Sequence, residues 1–438
     1  MARVNDVSAR ILRHNAGRTP GLLAVKYDRM ARDPFAFYRA TCHLFADGWR
    51  AAVRGTRLGH APAVWSCGDL HLENFGSFKA RNRLVYFDVN DFDEAALMPL
   101  SWDVVRLASS VLVGASVLEV TRAEARALAK DLVRAYASAL KDGRARWVER
   151  DNATGVTRDL LDEARTRKRR VLLDRYSVVR RGRRVLRSDS EHAQAATPAE
   201  TRLVRSIVRE VASRERRGTF FRILGVTRRI SGGGSLGLGR WMVLIEGNGA
   251  PHQHYLLDVK AAHPSVARGQ SPYPQRRFPS DAERVLVLQR RAQARSPDLL
   301  HAVRRGRTSF LVRELQPSKD RLRLELCRGR LKELRVALVT MGEVAAWDAL
   351  RGASRDGSAS AEQLMAFAMK GEWRADVLNA AREISRRSSA AWRAFARDLR
   401  AGRLQPHEHG PPGEHRSAVV RRGGEARDIT PHPVLAAV

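Results

Sequence analysis

Cys67-Gly-Asp-Leu-His-Leu-Glu-Asn-Phe-Gly76, together with Phe87-Asp-Val-Asn-Asp-Phe-Asp-Glu94 just beyond it, is the stretch on which the reading of this chain turns. Asp69 follows Gly68 after the apolar run Ala63-Val-Trp65, so its carboxylate can stand at a strand end beside a cleft and serve as a base toward a substrate hydroxyl. Asn74 offers a carbonyl oxygen, and the carboxylates after Leu84-Val-Tyr-Phe87 offer more, which are the hard oxygen ligands that Mg²⁺ demands. His71 is expected to brace the turn, and Glu73 to be solvated. An Asx-rich turn with no chemistry would use the same residue types, so an active site would need partners from elsewhere in the chain. Asp88, Asp91, Asp93 and Glu94 add one constraint: four close carboxylates repel unless a cation or arginines such as Arg81, Arg83 or Arg106 offset them. A divalent metal is the favoured remedy.

The partners come from far along the chain. Gly232-Gly-Gly234-Ser-Leu-Gly237 satisfies G-x-G-x-x-G and leads into a β-like run rather than a helix. That speaks against a dinucleotide fold and for a hairpin that covers phosphates, with Gly232, Gly234, Ser235 and Gly237 as the contacting residues. Lys260 ends the apolar run Tyr255-Leu-Leu-Asp-Val259 in a chain whose basic residues are mostly Arg, so a compact ammonium facing phosphate is expected there. Glu283, on the following helix, is the expected acid partner of Lys260. A plain hairpin turn, a snorkelling lysine and a surface glutamate are the alternatives to these three readings.

The bulk composition sets the frame. A chain of 438 residues exceeds the size of one core, and 44% hydrophobic with 29% charged residues is near the globular average. The net charge of +32 and pI of about 11.3 would draw phosphate-rich partners. The arginines are spread through the chain rather than gathered, which equally fits an arginine-biased composition on solvated faces. Cys42, Cys67 and Cys327 are too few and too widely spaced for a disulfide framework or a thiolate zinc site. With no apolar signal core and no run of about 18 apolar residues, a cytoplasmic protein without a membrane span is expected.

Apolar periodicity and punctuation give the organisation. Residues 1–215 read as a helical lobe: an amphipathic helix from Pro20 to Trp49, the catalytic and metal loops, then helices at Trp102 to Val113 and Arg122 to Leu140. Within it 149–196 reads as an exposed basic excursion. Thr197-Pro-Ala-Glu200 starts a helix with a capping box. Residues 216–316 read as a β lobe with the glycine loop, Lys260 and a helix from Asp281 to Val303. Residues 317–404 return to helices, with 322–334 fitting either strand or helix, and 405–438 is expected to be a flexible tail.

The matched residues Gly68, Asp69, His71 and Asn74 resemble the catalytic loop of kinase-like phosphotransferases of the aminoglycoside and choline kinase branch. That branch has a metal-binding Asp about a dozen residues before an Asp-Leu-Ala helix start, for which this chain has Asp103-Val-Val-Arg-Leu-Ala108. Asp91 and Asp103 fit that spacing, so the resemblance favours Asp91 as metal ligand with Asp88 in reserve. The blocks GDLHLENFG, FDVNDFDEA, WDVVRLASS, GGGSLGLGR, LLDVKAA and FLVREL resemble the bacterial domain of unknown function 2252 family across most of the chain. The resemblance implies an α+β, protein-kinase-like two-lobe fold with a small antiparallel β lobe and a larger helical lobe. The order is permuted, because the glycine loop and Lys260 follow the catalytic loop, and Cys67 stands where the kinase branch usually has His. It further implies an ATP- and Mg²⁺-dependent phosphotransferase acting on a hydroxyl of an unidentified acceptor. The alternative is an inactive kinase-like scaffold that binds nucleic acid or another polyanion through its basic surface. A metallophosphatase built on Gly68-Asp-Leu-His71 is disfavoured by the lack of a Gly-Asn-His-Glu partner motif.

Overall fold

The run from Ser101 to Val113 is so nearly free of exposed polar positions that it must be buried on every side, and this requirement organises the helices. In the computed structural model, which describes residues 5–190, 192–317 and 320–404, the Ser101–Val113 helix is enclosed by the helices Pro34–Ala40, Arg122–Asp142, Leu331–Arg351 and Trp373–Arg400. Trp102, Val105, Leu107, Ala108 and Val111 enter one large core with residues such as Leu132, Leu338, Met341 and Val377. The Arg122–Asp142 helix starts on a capping box between Thr121 and Glu124. Its backbone approaches the Leu331–Arg351 helix so closely that a Cβ on Gly342 would lie 2.5 Å from the Leu132 carbonyl oxygen.

The chain is mixed α+β with several small sheets, and every strand pairing is antiparallel. The largest sheet runs His301–Arg305, Thr308–Glu314, Tyr255–Ala262, Arg240–Ile245, Ile223–Arg229, Ala193–Ala195 and Asp189–Ser190 in spatial order. Strand alternation divides its side chains. Trp241, Val243, Ile245, Leu257, Val259 and Val312 face the Pro198–Glu215 helix, whose Val204, Ile207, Val208 and Val211 complete a second core. Met242, Leu244 and Leu256 point to the other face, where they meet Leu173, Tyr176 and Leu186. Thr197 and Glu200 form the expected capping box at the start of that helix.

Three expectations change here. The segment from Pro20 to Trp49 is three helices, Pro20–Arg32, Pro34–Ala40 and Cys42–Ala52. Pro34 forces Asp33 into an extended conformation, and Asp33 then caps the next helix through Ala36 N. The basic stretch 149–196 contains the helices Gly155–Thr166 and Arg169–Tyr176 and the hairpin Ser177–Arg180 with Arg183–Leu186. Leu160, Leu161, Leu173 and Tyr176 are buried there, so the apolar minority of an arginine-dense segment was enough to dock it. The helix begun at Asp281 ends at Ala292, and Val303 belongs to a strand. Residues 322–334 form the short turn Leu324–Cys327 and the start of a helix. The flexible tail expected over 405–438 lies outside the described residues.

The two ends of the described chain meet. The Asn5 amide N donates to Asp398 Oδ2 at 3.1 Å, and its side chain donates to the Ala394 carbonyl at 3.2 Å. Among the described residues no helix is long and apolar enough to cross a membrane. Replacing Gly342 by Val should separate the two longest-packed helices, lowering stability by about 1–3 kcal/mol. A denaturant titration should show the midpoint falling with the slope unchanged.

Candidate active site

Gly68 must be glycine: its φ is +85° and a Cβ there would stand 2.0 Å from the Glu94 carbonyl oxygen. The turn it makes is held from beneath by the Ser101–Val113 helix. Asp103 accepts from Cys67 N at 2.9 Å and Gly68 N at 3.2 Å, and Trp102 Nε1 donates to the Gly68 carbonyl at 2.8 Å. Burial pushes the Asp103 carboxyl up to about 6 despite these donors. One turn along, Arg106 Nε and Nη2 both donate to Asp69 Oδ1, at 2.8 and 2.6 Å. Arg106 is wholly buried, donates to the Tyr38 carbonyl at 2.9 Å and lies 3.7 Å over the Tyr38 ring. Both arginine bonds fall on one oxygen, which leaves Asp69 Oδ2 free of arginine. Burial raises the Asp69 carboxyl, against the pull of Arg106.

His71 is buried and its Nδ1 accepts from Glu73 N at 3.2 Å, so it braces the turn as expected. Burial and then the neighbouring arginines, Arg39 foremost, hold its pKa well below the ordinary histidine value, and it is neutral. Glu73 is not simply solvated: it pairs with Arg39 at 2.7 Å and with Arg321. Asn74 Nδ2 donates to the Asp69 carbonyl at 2.6 Å, which commits its amino group and leaves Oδ1 as an acceptor. Asn90 N donates to the Asn74 carbonyl at 2.8 Å, extending the pairing of Phe75 with Val89 and setting the acidic segment beside the turn.

Asp91 reaches this region with its carboxylate about half exposed, and Lys260 Nζ is 3.9 Å from its Oδ1. The tighter partner of Lys260 is Asp93. Burial opposes ionisation of Asp93, but Lys260, Arg313 and Arg240 outweigh it and hold the carboxyl below its ordinary value. Two sequence expectations are corrected here. Asp88 does not face the cleft: it accepts from Ala294 N at 3.0 Å and lies 3.5 Å from Arg351, which also binds Asp348 at 2.7 Å. The pleat aims its side chain into the helical core. Among the described residues Lys260 pairs with Asp93 and Asp91, not with Glu283, whose N–H is capped by Ser280 at 3.2 Å. Among the described residues no three or more His, Cys, Asp or Glu side chains are grouped to hold a metal. Asn74 and Asp91, expected as ligands, both line the cavity described below.

The glycine stretch is the turn of a hairpin between the strands Ile223–Arg229 and Arg240–Ile245. Gly232 and Gly237 adopt φ of +90° and +85°, and a Cβ on Gly237 would meet Arg18 Cβ at 2.9 Å. An N-terminal arm holds this turn, a partner the sequence did not announce. Lys26 Nζ donates to the Gly234 carbonyl at 2.8 Å and to Asn15 Oδ1 at 2.7 Å, and Arg18 Nη1 donates to the Leu236 carbonyl at 2.9 Å. Burial drives the Lys26 amine well below its ordinary pKa. A cavity of about 460 Å³ opens between the turn and the hairpin, and Asp69, His71, Asn74, Asp91, Asp93, Gly232, Gly234 and Ser235 all line it. The structure thus brings together most of the predicted residues, adds Asp93, and reveals Asp103 and Arg106 as their supports. Two charges inside an otherwise apolar helix were the available signal for those supports.

The chain belongs to a family of bacterial proteins described as "Uncharacterized protein conserved in bacteria (DUF2252)", which it matches over residues 18–398. No curated protein and no solved structure matches it.

Arg106→Met should leave the partly exposed Asp69 without its cation and cost about 1–3 kcal/mol in denaturant unfolding, more than loss of a surface pair. The Asp88 and Asp348 pair sets a pH dependence. Burial and then the adjacent Asp88 push the Asp348 carboxyl well above its ordinary value, so the folded chain keeps a proton that the unfolded chain releases near pH 4, roughly. That stabilisation is complete below the unfolded value and is lost as pH rises through the folded one. Asp348→Asn should therefore narrow the fall in Tm between acidic and alkaline buffers in a thermal unfolding series.

Proposed function

We propose that this chain is an ATP- and Mg²⁺-dependent phosphotransferase of kinase-like organisation in permuted order, acting on a hydroxyl of an unidentified acceptor. The observation that carries the reading is the convergence of Asp69, Asn74, Asp91 and the glycine hairpin on one cavity. The hairpin supplies two strands, and Lys260 stands on the strand after them, paired across the sheet with Arg240. A glycine-rich loop over phosphates, a lysine on the third strand and an Asp with a following Asn are the parts that such chemistry uses.

Asp69 Oδ2 would receive the proton of the acceptor hydroxyl as its oxygen takes the phosphoryl group from the departing diphosphate. A carboxyl raised by burial is a better base than a solvated one. Arg106 fixes the carboxylate by its other oxygen, so the accepting atom has one orientation. Asn74 Oδ1 and the half-exposed Asp91 carboxylate fit Mg²⁺, which takes one or two protein oxygens and completes its shell with phosphates and water. Bound there, the cation would offset phosphate charge and align the transferred group. Lys260 would hold phosphate oxygens once the nucleotide draws it from Asp93, and the hairpin N–H groups would cover them. Gly232, Gly234 and Ser235 retain their expected place in this scheme; Gly237, which packs against Arg18 and Thr19 outside the cavity lining, and Glu283 do not.

Calorimetry with Mg-ATP should give saturable binding to the wild-type chain. Asp69→Asn should keep that binding and lower turnover by about 10²–10⁴-fold. Turnover should fall as the pH drops through the raised Asp69 value, because only the ionised carboxylate accepts a proton. Absence of any heat from a folded sample would remove the enzyme reading. Nucleic-acid binding that weakens steeply with salt and is indifferent to Asp69→Asn would favour the polyanion-binding scaffold instead.

A further inference from the structure

The roof of the cavity is built from charge where a purine site would be apolar. Strand alternation and register put Arg229, Arg240, Asp258, Lys260 and Arg313 on one face of the large sheet, with Asp258 opposite Arg313 and Lys260 opposite Arg240. Asp258 is 2% exposed and receives Arg229 Nη1 at 2.9 Å and Arg240 Nε and Nη2 at 2.8 and 2.6 Å, while Arg313 Nε lies 3.8 Å away. Three guanidinium groups therefore share one carboxylate.

The imbalance is local to this sheet face, for among the described residues the cavity lining as a whole carries six Arg and six Asp or Glu. Lys260 adds a fourth cation, and Asp91 and Asp93 are the other carboxylates it meets. Four cations face three acids before any metal is counted, and a cation on Asp91 would widen the surplus. Buried positive charge without a counterion is costly. Arg229, Arg240 and Arg313 all line the cavity, and the bonds above occupy only some of the five donors each carries. Arg313 makes one further bond, from Nη1 to the Asn90 carbonyl at 3.3 Å.

The lining also lacks what a base requires. Small-molecule sites that hold flat rings do so between apolar or aromatic side chains. Among the described residues this lining has no Phe, Tyr or Trp, and Leu238 and Val266 are its only branched aliphatic side chains. The strand that carries Lys260 has Asp258 two residues earlier, where the Val-Ala-Ile-Lys strand of protein kinases has a small apolar residue.

We infer that the cleft selects its donor by the polyphosphate, seating anionic phosphate groups on Arg229, Arg240 and Arg313, and is nearly indifferent to the base. This rests on the phosphotransferase reading for the word donor alone; the anion subsite stands on its own geometry. Recognition by guanidinium forks matches phosphate oxygens, whereas among the described residues the lining offers no Phe, Tyr or Trp to hold a purine.

The test is calorimetric binding of Mg²⁺ complexes of ATP, GTP and inorganic tripolyphosphate, with adenosine as the fourth probe. The three polyphosphates should bind within about threefold of one another, and adenosine should give no heat at millimolar concentration, the scale expected of a fragment stripped of its charged contacts. Arg313→Gln, chosen because Arg313 is the most exposed of the three and stands farthest from Asp258, should weaken all three by about tenfold at unchanged Tm. Arg313→Lys should restore part of the loss. Adenosine binding, a tenfold or larger preference for ATP over tripolyphosphate, or an Arg313→Gln chain that binds tripolyphosphate as well as wild type would overturn the inference. Tripolyphosphate binding that Arg313→Gln weakens, in a chain with no transfer activity, would support the subsite while removing the enzyme reading. Transfer from ATP with strict base selection would do the reverse.

Discussion

The interaction on which the candidate site depends is made by one buried helix acting on one turn. Asp103 takes the N–H groups of Cys67 and Gly68, and Arg106, one helical turn later, takes the carboxylate of Asp69. Each charge sits in a helix whose other side chains are packed out of water. Neither could be tolerated there without the turn, and the turn, with a glycine at positive φ, could not hold its shape without them. The site is therefore as rigid as the helical core itself, since the same helix is enclosed by the Trp373–Arg400 helix from the far end of the chain.

Local signals were legible in the sequence and long-range ones were not. Gly-rich punctuation between β-like runs marked the hairpin, and Thr197-Pro-Ala-Glu200 marked a helix start, because caps and turns are decided by a few adjacent residues. The acidic run could be seen but not sorted. Asp88 lies inside the strand Val85–Val89 and Asp91 beyond its end, and a different side chain waits for each: Arg351 with Asp348 for the first, open cavity and Lys260 for the second. Glu283 looked like the lysine's partner because it opens the next helix, yet Asp93 lay closer in space from far earlier in the chain. The arm that holds the glycine turn through Lys26 and Arg18 left no trace in local pattern, for its partners are backbone carbonyls.

Arginine content also reads differently with the fold in view. A chain of net charge +32 suggested an anion-attracting surface, with dispersed arginines as the bland account. Many arginines turn out to be structural cross-links: Arg167 with Asp320, Arg184 with Asp174, Arg284 with the Ala95 and His263 carbonyls, Arg351 with Asp348. The planar fork suits this work, since one side chain can serve two partners in fixed geometry. The segment 149–196 illustrates it: its charge density resembled that of a solvated excursion, yet Arg167 and Arg184 tie it to its surroundings while a few leucines dock it.

The meeting of Asn5 with Asp398 has a consequence for synthesis of the chain. The sheet and its covering helix draw on residues 189–314, which are complete well before the last helix is made. The helical core is not: it needs Trp373, Val377 and Ile384 to cover residues from the first quarter of the chain. On the ribosome, the N-terminal helices must wait with apolar faces uncovered until almost the whole described chain has emerged, the reverse of the usual N-terminal-first order. Closing contacts of such sequence separation is slow. The later-made sheet can thus be the first part to fold, and the Gly68 turn the last to settle.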